Sequence, residues 1–166
     1  MSAQELEQTA KAMVAQGKGI LAIDESFPTI KKRFDSINIE STEENRRAYR
    51  DLLITNPGGS DYISGMILFD ETIRQSTADG TPFTKALIDQ GIMPGIKVDA
   101  GAKDLAGYPG EKVTEGLDGL RDRLAEYKSL GAKFAKWRAV ITIGDGIPTR
   151  GCIEANAHAL ARYAAL

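Results

Sequence analysis

Cysteine is almost missing from this chain. The single thiol, Cys152, has no partner within the 166 residues, so no internal disulfide forms and the default compartment is a reducing one. The N-terminal residues lack the basic, apolar and small-residue sections of a signal peptide, which gives the expectation of a cytoplasmic protein. Charge of one sign is also scarce: 21 Lys+Arg against 23 Asp+Glu leave a net charge of -2. No basic run is long enough to neutralise a phosphate backbone, so nucleic acid is not an expected partner. Long apolar runs are absent. Tyr62 to Phe69 is strand-sized, far short of the roughly 20 residues that cross a bilayer, so no membrane span is expected. No linker, low-complexity tract or sequence repeat divides the chain, and the expectation is a single domain over 1–166. At 42% hydrophobic and 27% charged residues, the composition is that of a folded chain with a core rather than a disordered one.

What is present is a repeated alternation. Ser2-Ala3-Gln4-Glu5 reads as a capping box opening a helix, with Leu6, Ala10, Met13 and Val14 on one face and Gly17 and Gly19 ending the pattern. An apolar run from Gly19 follows and stops at Asp24-Glu25; residues apolar on both faces are typical of a strand in a parallel sheet. Ser41-Thr42-Glu43-Glu44 is a second capping box, and its helix closes at Asn56-Pro57-Gly58-Gly59. Strands are expected near 19–24, 62–69, 95–99 and 132–141, with Pro94 placing the third strand proper at 95–99. Helices occupy the intervals, and a last one runs from about Ile153 to Leu166. Strand and helix in alternation at this spacing predict a parallel sheet with right-handed crossovers.

A doubly wound sheet and a (β/α)8 barrel share this local pattern, and another absence separates them. A dinucleotide fold carries G-x-G-x-x-G after its first strand, whereas this turn is Asp24-Glu25-Ser26-Phe27-Pro28, without glycine. Barrels place functional groups at the C-terminal ends of their strands, and this chain puts charged residues there repeatedly. Side chains alternate along a strand, so Lys97 shares a face with Asp99, and Lys136 with Arg138. If those faces point inward, Asp24, Lys97, Asp99, Lys136 and Arg138 meet at a barrel mouth. Such a group suits a phosphorylated, oxygen-rich substrate: cations hold phosphate and stabilise oxyanion charge, and a carboxylate beside a lysine moves protons.

Plainer readings stand beside these. Asp24 is either a cap for the following helix or a catalytic carboxylate. Lys97 and Lys136 either snorkel on the exterior or act at the mouth, and Arg138 is either a structural partner of Asp99 or a ligand-binding cation. His158 reads as a surface or packing residue, Cys152 as a small hydrophobe, Trp137 as filler between strand and helix, and the charged segment Glu43 to Asp51 as a solvated helix face.

The motifs also carry a family resemblance. Gly17 to Ser26, Thr42-Glu43-Glu44-Asn45-Arg46-Arg47, Gly95 to Asp99, Glu115 to Leu120 and Phe134 to Arg138 together resemble the class I fructose-bisphosphate aldolases, in order and over the whole chain. The resemblance implies a TIM-barrel lyase of glycolysis that reversibly cleaves fructose 1,6-bisphosphate to dihydroxyacetone phosphate and glyceraldehyde 3-phosphate. It implies no metal or other cofactor, because a lysine forms a Schiff base with the ketone. Asp24 matches the first-strand aspartate that assists proton transfer, and Lys136 the fourth-strand lysine that polarises the reacting oxygens. Lys97 and Arg138 match residues near the bisphosphate, Ser26 and Arg33 phosphate contacts, and Arg46 an arginine placed at the substrate site. The family's loop commonly runs Thr-Gly-Ser where this chain has Phe27-Pro28-Thr29.

Length is the larger departure. A full barrel has eight strands in about 250 residues, and the sequence supplies four expected strands. The family's Schiff-base lysine sits on the sixth strand and its acid–base glutamate on the fifth. The expectation is therefore an α/β chain forming the first half of a (β/α)8 TIM barrel, four parallel strands with an extra N-terminal helix, inactive by itself. Full-length members of the family are homotetramers, and the location implied is cytoplasmic with the plastid stroma left open. Two other readings remain at this point: a phosphosugar isomerase barrel without an imine, and a truncated, non-catalytic chain that binds sugar phosphate or assembles with full-length subunits.

Overall fold

The structure, a computed structural model, describes residues 2–166. A first helix, α1 (Ala3–Met13), starts as its sequence dictates: the Ser2 hydroxyl accepts from the Glu5 amide and the Glu5 carboxylate accepts from the Ser2 amide at 2.6 Å. The first strand, β1 (Gly19–Ala22), pairs in parallel with β2 (Ile63–Leu68), and β2 in parallel with β3 (Met93–Lys97). With β6 (Phe134–Lys136) these form one four-stranded sheet in the order β1-β2-β3-β6, the parallel arrangement that the spacing predicts. Crossovers are helical: α2 (Phe27–Asp35) and α3 (Glu43–Ile54) follow β1, with the single turn α4 (Gly59–Tyr62) before β2. The short α5 (Asp70–Ile73) and then α6 (Phe83–Asp89) link β2 to β3.

Boundaries differ from the expectation in instructive ways. Thr42, not Ser41, caps α3, its hydroxyl accepting from Asn45 at 3.1 Å; the expected second capping box reduces to this single cap, because Asn45 turns its side chain to the Glu40 carbonyl. The third strand begins at Met93 and includes Pro94, whose carbonyl accepts from Lys133 at 2.8 Å, so the missing amide is tolerated at the strand's start. The fourth strand is three residues long rather than ten, ending where Trp137 and Arg138 turn away. Between β3 and α7 (Leu120–Ser129) the chain inserts an antiparallel hairpin, β4 (Gly101–Asp104) with β5 (Lys112–Glu115), which the sequence analysis does not anticipate. The last helix, α8 (Arg150–Ala165), begins earlier than expected, capped by Thr149.

Contacts divide the chain into two compact units, one comprising residues up to Lys97 together with Tyr127–Ala135, the other Val98–Glu126 together with Lys136–Leu166. In the first unit the core lies on one side of the sheet. Met66, Leu68 and Ile96 from the strands and Ile23 just after β1, with Ile30, Ile54, Phe83 and Leu87 from the helices, are each at most 2% exposed. Burial of this kind is worth about 1.5–3 kcal/mol per large side chain. On the opposite side Phe134 lies against β2 and β3, and a Cβ at Gly95 would stand 2.3 Å from its ring. Glycine is required there by close approach, not by backbone conformation.

In the second unit α8 covers the hairpin. Trp137 stacks on Tyr163, ring centroids 5.4 Å apart, as expected of a filler between strand and helix. Cys152 is buried, and burial pushes its thiol up. Glu111, also buried, accepts from both the amide and the hydroxyl of Thr149 at 2.7 and 2.6 Å. No helix of the described residues is long and apolar enough to cross a membrane.

Candidate functional site

Register arithmetic places the first functional row. Ala22 pairs with Ile67 and Ile67 with Gly95. Two residues further along each chain, on the same face by strand alternation, stand Asp24, Phe69 and Lys97. This face is opposite to the helix-covered one, and Asp24 and Lys97 are both half-buried. The Lys97 ammonium lies 6.0 Å from the centre of the Phe69 ring, a cation–π distance. Asp24 is not a helix cap: that position belongs to Ser26, with extended φ and ψ of -67° and 163°.

The segment after Asp24 is held by aromatic and ionic contacts rather than by glycine. Pro28 falls in the first turn of α2, where a missing amide costs nothing, and the Ser26 and Thr29 hydroxyls lie 3.3 Å apart. Phe27 packs edge-on against Phe69 at 5.2 Å and beneath the Arg46 guanidinium at 4.7 Å. Arg46 makes a two-pronged pair with Glu71 at 2.8 and 2.5 Å and donates to the Ser41 carbonyl at 2.6 Å. The Glu71 hydrogen bond, followed by its charge, raises the Arg46 guanidinium above its ordinary value against the opposing effect of burial. All three of its nitrogens are engaged. Arg33, by contrast, keeps a side chain 57% exposed while pairing with Glu25.

Beneath this loop lies a buried arginine that the sequence analysis places wrongly. Glu43 to Asp51 reads as a solvated face, yet Arg50 is 2% exposed. It donates to the Ile23 carbonyl at 2.8 Å and the Glu25 carbonyl at 3.1 Å, and its charge faces the Glu25 carboxylate at 3.0 Å. Desolvation, only partly offset by Glu25, lowers its guanidinium below the usual arginine value. The signal was spacing: Arg50 stands four residues before Ile54, which is fully buried, and i, i+4 positions share a helix face.

In the second unit, Val98, Asp99, Lys136 and Arg138 come together through the backbone. The Val98 amide donates to the Lys136 carbonyl at 3.1 Å, and the Arg138 amide to the Asp99 carboxylate at 3.4 Å. Asp99 also accepts from the Gly101 amide at 3.1 Å. The link expected between Arg138 and Asp99 therefore exists, but the peptide amide makes it while the Arg138 side chain is exposed. Lys136 is half-buried and shares the strand face of Phe134.

His158 is exposed on α8. Among the described residues no group of three His, Cys, Asp or Glu side chains stands close enough to hold a metal ion. A depression of about 480 Å³ in the first unit, lined by Ile73, Gln75, Thr84, Ile88 and Leu130 among others, includes none of the charged residues above.

Comparison with known proteins extends this description. Residues 5–166 match the family described as "Fructose-bisphosphate aldolase class-I". A probable fructose-bisphosphate aldolase class 1 of Xanthomonas campestris pv. campestris is 72% identical over 166 residues, all of this chain and 50% of the relative. The cytoplasmic isozyme of fructose-bisphosphate aldolase from Spinacia oleracea is 56% identical over 97% of this chain and 45% of its own length. Among solved structures, the fructose-bisphosphate aldolase of Plasmodium falciparum, crystallised with TRAP and a small-molecule inhibitor, superposes with a TM-score of 0.93 at 50% identity. That match covers 97% of this chain and 47% of the other. The chain thus spans about half the length of the curated relatives it matches.

Proposed function

The chain belongs to the class I fructose-bisphosphate aldolases, and from that premise we propose that it contributes the first half of a Schiff-base aldolase barrel as one domain. The reaction is the reversible cleavage of fructose 1,6-bisphosphate into dihydroxyacetone phosphate and glyceraldehyde 3-phosphate. The observation that carries this reading is the row Asp24, Phe69, Lys97 on the face the helices leave uncovered, in a chain matched to the aldolase family over residues 5–166.

In this reading Asp24 moves a proton at the substrate oxygen, and Lys136 stabilises the oxyanion charge that develops there. Ser26 and the exposed Arg33 hold one phosphate; Lys97 and Arg138 serve the rest of the bisphosphate. Arg46, with its nitrogens taken up by Glu71 and Ser41, acts at the substrate site by holding Phe27 in place. The imine-forming lysine and the acid–base glutamate lie on the sixth and fifth strands of the family's barrel respectively, outside these four strands, so the 166 residues alone do not cleave sugar. No metal takes part. The full enzyme is a cytoplasmic homotetramer that acts on sugar phosphates and binds neither nucleic acid nor membrane; relatives named cytosolic support the location.

A second reading stands beside it, a non-catalytic chain that binds sugar phosphate or assembles with full-length subunits. The test is a coupled assay of fructose 1,6-bisphosphate cleavage with the protein at the length its source produces. Turnover that survives a chelator, with none from 1–166 alone, is expected. Sugar-phosphate binding without turnover by the source-length protein would replace the first reading with the second.

A further inference from the structure

One guanidinium holds the peptide unit that enters Asp24 and the one that leaves Glu25, bracketing the two residues between them. Arg50, inside α3, donates through Nε to the carbonyl of Ile23 and through Nη2 to the carbonyl of Glu25, the two residues that flank Asp24. The Ile23 amide is fixed separately, donating to the Ile67 carbonyl at 3.1 Å. These bonds hold the chain just before Asp24 and again just after Glu25, so the span that carries Asp24 is anchored at both ends, and the direction of its Cα–Cβ bond follows from that backbone. The guanidinium is suited to this because it is a planar, rigid fork of donors, whereas a lysine ammonium is a point charge on a flexible stem. Burying a charge is costly, and a methionine would fill similar space without that cost. The charge is retained with a carboxylate, Glu25, that is itself 8% exposed and 3.0 Å away. Arg50 is linked to the phosphate-binding candidate Arg33 through Glu25 and through Tyr49, over whose ring the Arg50 guanidinium lies at 5.1 Å and whose hydroxyl stands 3.5 Å from Arg33.

We propose that Arg50 is a positioning residue for the Asp24 carboxylate, fixing its height and direction at the end of β1. The inference rests on the aldolase reading of Asp24. If it holds, Arg50 acts on catalysis only through Asp24, and its loss shows in the rate of the chemical step rather than in substrate affinity.

The experiment uses the source-length protein in four forms beside wild type: Arg50→Lys, Asp24→Asn, the double variant, and Arg47→Lys. Arg47 lies on the same helix and pairs with Glu44 and Asp51, so its variant reports a loss of helix anchoring without a loss of the clamp. Arg50→Lys is expected to lower kcat by about 10²-fold, the effect of an ångström-scale misplacement, with KM within about two-fold of wild type. Arg47→Lys keeps kcat per folded molecule. In the Asp24→Asn background, Arg50→Lys adds no further loss, the non-additivity of residues that act as a unit. Three results would overturn the inference: wild-type kcat in folded Arg50→Lys, equal losses in Arg47→Lys and Arg50→Lys, or full additivity in the double variant. An Asp24→Asn variant with wild-type kcat would instead remove the reading of Asp24 itself, and the inference with it.

Discussion

The two faces of the β1-β2-β3 sheet are built from the same strands and behave differently. On the helix side Ile23, Leu68 and Ile96 form a row with at most 1% exposure each, while on the other side Ile20 is 40% exposed and the row above it is Asp24, Phe69 and Lys97. Alternation along a strand makes this division automatic: each residue that moves the pattern by one changes face. The helix side is finished within these residues. On the aldolase reading the other face carries the chemistry, and Phe134 and the Phe27–Phe69 pair lie against it. On that reading, packing and chemistry fall on neighbouring residues just past β1, Ile23 and Asp24.

The largest effect that probes this division is expected on the packed side. Replacing Arg50 by methionine leaves the buried Glu25 with the exposed Arg33 as its remaining counter-charge and is expected to cost about 3–5 kcal/mol, the range for breaking a buried ion pair, read by urea unfolding. A cost below about 1 kcal/mol, typical of exposed pairs, would show that the Arg33 pair alone satisfies Glu25 and that the two faces differ less. Next in size, Leu68→Ala should cost about 2–5 kcal/mol, whereas Ile20→Ala in the 166-residue chain should stay within about 0.5 kcal/mol, as surface changes do. In the source-length protein the Ile20→Ala cost should rise towards that of Leu68→Ala, because a closed barrel covers that face. Equal costs in the short chain would remove the comparison.

Much of this architecture was legible because it depends on periodicity. The four apolar runs, their spacing and the Ser2 capping box are local features, and local features survive folding. The hairpin of β4 and β5 was not legible: Ala102-Lys103-Asp104 and Lys112-Val113-Thr114 are too short and too polar to show alternation, and their pairing is decided by the turn between them. Strand β6 was read too long because the apolar stretch after Lys136 is spent on Trp137 stacking against α8 rather than on the sheet. At the site, counting paired Lys97 with Asp99 and Asp24 with Ala22 along each strand, while the register between strands, which puts Asp24 and Lys97 in one row, came only from the fold. The resemblance carried Ser26 and Arg33, which no period distinguishes. Arg50 and Glu71 were missed because arginine and glutamate on a charged helix or beside a turn look solvated in sequence, and only the tertiary fold shows which of them are buried against each other.

Smaller effects sharpen the same picture. Gly95→Ala places a Cβ against the Phe134 ring and should cost about 1–3 kcal/mol, as over-packing does, measured by thermal unfolding; Phe134→Leu in the same background should recover part of it. The smallest effect lies in the second unit. Burial pushes the Glu111 carboxyl up, but the Thr149 hydroxyl and amide outweigh burial and hold it below the usual glutamate value. Its contribution to stability is therefore complete above the unfolded-state value near about 4.3 and is lost as pH falls through the lower folded-state value. The difference in Tm between wild type and Glu111→Gln should shrink below about pH 4; a difference that grows on acidification would reverse the sign of the shift.

The most direct test of the central claim is borohydride trapping of the source-length protein with dihydroxyacetone phosphate, followed by intact mass and peptide mapping. The account predicts one covalent adduct per chain on a lysine outside residues 1–166, abolished by omitting the reductant. An adduct on Lys97 or Lys136, or no adduct in a protein that still cleaves fructose 1,6-bisphosphate, would contradict it.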